Sequence, residues 1–135
     1  MAGPVQHWLL IRGTGDRPLP RRIDPTSLRG HSSTKRPSLQ KGDLAVCYAS
    51  GWQTIFAVVE IVGDPENDPT RDRWQWRIPI RAVLAVRDLD KAPPVEAAGV
   101  FPLSLGRHSY IRLTPDQFEA ANAILRENLA SGAEA

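Results

Sequence analysis

The sequence holds a single cysteine, Cys47, among its 135 residues. A disulfide framework and a cysteine-based metal site are therefore both excluded within the chain. Cys47 lies in an apolar, β-prone run, where the expected role is that of a small buried hydrophobe rather than a nucleophile. No apolar stretch approaches the ~20 residues that a membrane-spanning helix needs, and Met1 to Pro4 leads almost directly into a strand rather than into a signal-peptide core. A soluble, cytoplasmic protein with no membrane partner is the expectation. Also lacking are a glycine-rich phosphate loop of recognised spacing, a nucleophile elbow, paired metal-binding histidines and an obvious carboxylate pair. The three histidines, His7, His31 and His108, are far apart in sequence. No catalytic residue, metal ligand or cofactor is expected, and an enzyme would have to use a site of unrecognised form.

What is present is organised around residues 38–64, where two β-prone apolar runs lie back to back. After the polar turn Lys41-Gly42-Asp43, residues 44–49 are apolar on both sides, and so are residues 54–62, with Glu60 the only charge. Strands apolar on both faces are usually buried on both faces. In a chain long enough for one domain and too short for two, this predicts an α+β fold, a small mixed β-barrel with short flanking helices. The expected single domain covers 1–135, with a core at about 5–130 and a fraying tail at 131–135. His7–Arg12 reads as a first strand. Asp24-Pro25 reads as the start of a short helical turn that Gly30 ends. Even positions from Trp74 to Val86 are apolar, which predicts a long strand with one core face, at an edge or bulged at Pro79. Residues 109–113 read as a last strand. Thr114, Pro115 and Gln117 then supply an N-cap, a first-turn proline and a capping-box partner for a helix with Phe118, Ala121, Leu125 and Leu129 on one face.

Charge is unevenly placed. Residues 1–41 carry eight Lys or Arg against two acids, a net of +6, which leaves nine and thirteen, a net of −4, for the rest. Such asymmetry is expected of a protein with a phosphate-bearing partner, and on charge alone a solvated basic loop explains it equally well. Four tryptophans stand beside only two tyrosines and three phenylalanines. Trp8, Trp74 and Trp76 each fit a core role. Trp74 and Trp76 nevertheless adjoin Arg73 and Arg77, and aromatic faces near guanidinium groups can stack an unpaired base while the charge holds its phosphate. Trp52, at a loop exit, is the tryptophan that packing explains least.

In order along the chain, HWLLIR, a short helix, KGDLAVCYAS, AVVEIV, an acidic turn, RWQWRIPIRAV and SYIRLTPDQF resemble the EVE domain of the PUA-like superfamily. The likeness runs from His7 to about Leu129. It implies a pseudo-barrel with flanking helices and relatedness to the YTH domain, which reads methylated adenine in RNA, and to domains that hold a flipped, modified cytosine. Carried over, it implies a pocket formed by Arg12, Gly13 and Thr14, by His31, Ser32 and Ser33, and by Trp74, with Trp52 as a further candidate. His31 stands where the YTH pattern has a tryptophan, and is a weaker cage wall. Arg107, Ser109 and the basic Lys35 and Arg36 would hold the nucleic-acid backbone. The expectation is a non-catalytic module that accepts a modified base, flipped from DNA or RNA, between Trp74 and His31. The alternative is a sensor of a free nucleobase-like molecule in the same pocket.

Overall fold

The two mid-chain runs pair as expected. In the computed structural model, which describes residues 5–14, 16–102, 105 and 108–131, Leu44–Ala49 and Thr54–Ile61 form an antiparallel pair at the centre of the sheet. In chain order the strands are β1 (His7–Arg12), β2 (Gly30–Ser33), β3 (Leu44–Ala49), β4 (Thr54–Ile61), β5 (Glu66–Asn67), β6 (Trp76–Ala85) and β7 (Tyr110–Leu113), followed by the helix α1 (Pro115–Ala130). Short 3₁₀ turns lie at Pro25–Ser27, Leu89–Lys91 and Val95–Ala98.

The sheet order is β2-β6-β4-β3-β1-β7, with β5 added to β6. β1 runs parallel to β3, from His7 opposite Leu44 to Arg12 opposite Ala49, and antiparallel to β7. A parallel neighbour requires a crossover, and this one carries β2 to the far edge of the sheet. β3 and β4 are buried almost throughout because one face packs on α1 and the other lies inside the curl of the sheet. Phe118, Ala121 and Leu125 turn inward from α1, and the capping box of Thr114 and Gln117 fixes the start of that helix. Cys47 is fully buried, and that burial pushes its thiol up to about 11, so it is an inert core group.

The sheet curls into a half-barrel. Bulges between Cys47 and Tyr48 in the β3/β4 pair, and between Val58 and Val59 in the β4/β6 pair, add bend where the curl needs it. The two ends of the sheet, β2 at one and β1 with β7 at the other, are tied by side chains in and beside these strands. His31 Nε2 lies 2.6 Å from the Ser109 carbonyl, Arg12 Nη1 donates to the Gly30 carbonyl at 2.6 Å, and the Ser38 amide donates to the Tyr110 hydroxyl at 3.2 Å.

Several local expectations are corrected. The polar stretch at 30–33 is a strand, because it pairs with the edge of β6 that faces away from β4, Gly30 opposite Pro79 to Ser33 opposite Trp76. Gly30 therefore opens a strand instead of ending a helical turn. β6 is an inner strand, not an edge, and Pro79 is tolerated because its nitrogen faces the β4 side just past the last pair, Ile61 with Ile80. β6 begins at Trp76, so Trp74 lies outside it. Asp43 of the polar turn is 4% exposed and accepts from the amides of Gln6 and Gln40 and from Trp8 Nε1, at 2.9–3.1 Å. It ties the start of β1 to the start of β3, which sets the register that ends at Arg12.

Candidate functional site

β1 ends at Arg12 beside the first residues of β2, and the loop before β6 comes over both. Between them lies an open cleft of about 340 Å³, lined by Ile11, Arg12, Gly13, Thr14, Leu19, Gly30, His31, Ser32, Arg71 and Trp74. This volume falls within the roughly 300–1,000 Å³ of small-molecule sites. Six of the eight residues implied as a pocket by the resemblance line it: Arg12, Gly13, Thr14, His31, Ser32 and Trp74.

The turn after β1 is built for tightness. Gly13 has φ of +74°, and a Cβ there would stand 3.3 Å from the Arg17 carbonyl and from two atoms of Leu19. Thr14 Oγ1 accepts from the Arg17 amide at 2.9 Å, and the Thr14 amide donates to the Arg17 carbonyl at 3.1 Å, which folds Leu19 back against the cleft. Opposite, Trp74 sits on the loop before β6 with φ of +59°, a left-handed conformation that bulky residues rarely adopt. Arg73 lies over its ring at 5.2 Å. Arg73 is not among the residues that line the cleft.

His31 forms the floor. Its Nε2 faces a carbonyl, so it must donate there, and Nδ1 is left to accept from Arg12 Nη1 at 3.2 Å. The ring is thus a neutral tautomer tied at both nitrogens. Burial, and then the neighbouring Arg12 cation, lower its pKa from 6.5 to about 4. At 5% exposure little of the ring is left for a base to stack on, so Trp74 is the aromatic wall and His31 the fixed base beneath. Among the described residues all side-chain hydrogen bonds of Arg12 use Nη1, and Nε and Nη2 engage none of them.

The fold is shared with proteins of solved structure. A protein of Rhodopseudomonas palustris solved by NMR superposes with a TM-score of 0.60 at 14% identity, over 91% of this chain and 94% of that one. A crystal structure from Agrobacterium tumefaciens gives 0.55 at 16% identity, over 92% and 93%. A hypothetical protein of Leishmania major gives 0.55 at 13%, over 96% and 98%. At these identities the likeness is one of fold. No protein-family model matches the sequence, and no curated protein does.

The other candidates fall elsewhere. Ser33 is 3% exposed and spends its hydroxyl on the Lys35 carbonyl at 2.8 Å, so it is a satisfied core group on the face opposite Ser32. Trp52 packs on the core and donates from Nε1 to the Leu19 carbonyl at 2.9 Å. It buttresses the cleft wall without lining it. Ser109 contributes its carbonyl to His31 and to the Ile11 amide. Lys35 and Arg36 are exposed beyond the end of β2, and Arg107 lies outside the described residues.

Sequence reasoning missed Arg71. Its carbonyl accepts from Gln75 Nε2 and its amide donates to the Asp68 carbonyl, which places the exposed side chain at the cleft. Its guanidinium has no hydrogen bond or ion pair among the described residues. The acidic composition of residues 63–72 hid it; the only sequence signal was its closeness to Arg73-Trp74. Among the described residues no carboxylate lines the cleft and no group of three or more His, Cys, Asp or Glu is gathered to hold a metal.

Proposed function

We propose that the chain is a non-catalytic nucleic-acid-binding module of the PUA-like, EVE type, whose cleft accepts one modified base extruded from its stack. The observation that carries this reading is the cleft itself: a space for a flat heterocycle with Trp74 on one wall, Arg12 and Arg71 beside it and no acid among its lining residues. Trp74 stacks on the base, the Ser32 and Thr14 hydroxyls and nearby backbone groups meet its polar edge, and the guanidinium groups hold phosphate. A catalytic role lacks support in the cleft, because His31 is neutral with both nitrogens engaged and no carboxylate stands by to move a proton.

The test is a panel of modified and unmodified DNA and RNA oligonucleotides. Binding that prefers one modified base and weakens steeply as salt rises supports the proposal. A free modified nucleoside that raises the melting temperature while no oligonucleotide binds would instead assign the cleft to a small-molecule sensor.

A further inference from the structure

Two tryptophans two positions apart each carry a guanidinium over the ring, Arg73 over Trp74 at 5.2 Å and Arg36 over Trp76 at 5.7 Å. Arg73 is the chain neighbour of Trp74. Arg36 reaches Trp76 from a different segment, the stretch that follows β2. Trp76 is partly exposed and pairs with Ser33, the last residue of β2. Beyond Arg36 the chain enters a second open groove of about 610 Å³, lined by Arg36, Ser38, Gln40, Lys41 and Asp64 among others. β2 thus joins two openings: Gly30, His31 and Ser32 line the cleft, Ser33 meets Trp76, and Arg36 begins the groove. The chain from Gly30 to Arg36 spans at most about 20 Å.

We propose that the base in the cleft belongs to a single strand whose neighbouring nucleotides run along β2 into this groove. At the end of β2, before the groove, a second base displaces Arg36 from Trp76 and stacks on that ring, while Arg36 and Lys41 take the phosphates. The inference rests on the base-accepting reading of the cleft. Its chemistry follows from the contacts already present. A planar guanidinium on an indole occupies the place that a flat base takes, and Arg36 and Lys41 have no ion-pair partner among the described residues that phosphate would have to displace. Serine hydroxyl and glutamine amide groups add neutral donors of the kind that meet phosphate and sugar. A duplex keeps its bases stacked inside and offers no face to Trp76, so the partner class is single-stranded nucleic acid.

The test measures affinity of the full chain for DNA and RNA of one, three and five nucleotides and for the corresponding duplex. Each carries methylated adenine or methylated cytosine, placed at either end, and the variants are Arg36→Ala and Trp76→Leu. Lengthening from one to three nucleotides on one side should tighten binding about tenfold or more. Arg36→Ala should lower the slope of log affinity against log salt by about 0.7, the value of one single-strand phosphate contact. A folded Trp76→Leu should lose most of the gain from length. The track is overturned if the mononucleotide binds as tightly as the pentanucleotide, if the duplex binds as well as the single strand, or if Arg36→Ala leaves the salt slope unchanged. Where those results come with binding that still depends on Trp74, only the track falls; if no nucleic acid binds at all, the reading of the cleft falls with it.

Discussion

Trp74 combines a backbone angle of +59° with a place on the cleft wall, and the two together make a specific expectation for substitution. A left-handed conformation costs a non-glycine residue roughly 1–2 kcal/mol. Trp74→Gly should therefore be more stable than Trp74→Ala by about 1 kcal/mol, and both should fold, as urea denaturation would show. Both should lose preference for a modified base. If the two variants unfold instead, Trp74 is a packing residue and the cage assignment is wrong. At Arg71 the expectation is different: Arg71→Ala should weaken oligonucleotide binding and reduce its salt slope while leaving the melting temperature unchanged, because its guanidinium has no hydrogen bond or ion pair among the described residues. His31 gives a pH signature. Its pKa is about 4 in the folded chain against 6.5 unfolded, so between those values the unfolded state binds a proton that the folded state does not. Stability is complete above pH 6.5 and falls as pH drops toward 4, by up to about 1.4 kcal/mol per pH unit. His31→Gln should be less stable at pH 7 and should flatten the curve across that window; an unaltered slope would show that another group is responsible.

Among the elements, β1, the β3/β4 pair and α1 were legible because each carries its own local signal: continuous apolar runs for the strands, and a cap, a proline and a 3.6-residue period for the helix. β2 carries none. Gly-His-Ser-Ser has no apolar alternation, and it is a strand only because the edge of β6 away from β4 presents backbone groups to be met. The same long range decides Trp74, whose even position continues the alternation of β6 while its backbone has already turned away. The lining of the cleft was legible at residues 12–14, at 31–32 and at Trp74, which the resemblance marked, and illegible at Arg71, which only the loop geometry brings in. Trp52 stood out in sequence because its partner, the Leu19 carbonyl, is 33 residues away. Asp43 likewise read as an ordinary turn residue, yet it is a buried acceptor for three donors. Asp43→Ala leaves those donors unsatisfied and should destabilise the chain by at least roughly 3 kcal/mol in chemical denaturation. A loss below about 1 kcal/mol would mean that the tie between β1 and β3 is dispensable.

On the scale of the whole molecule, a curled sheet whose ends are joined through His31, Arg12 and Tyr110 has its cleft beside its own seam. The basic first 41 residues supply Arg12 to the cleft and Arg36 and Lys41 to the groove, while Arg21 of the same stretch is held by Asp88. The most direct measurement is the affinity of wild-type protein and a folded Trp74→Ala variant for matched single strands that differ only in one methylated or unmethylated base, taken at two salt concentrations. Wild type should prefer one modified strand and weaken as salt rises, and the variant should keep the salt response while binding both strands equally. Equal preference in the two proteins, or no binding by either, would contradict a base held against Trp74.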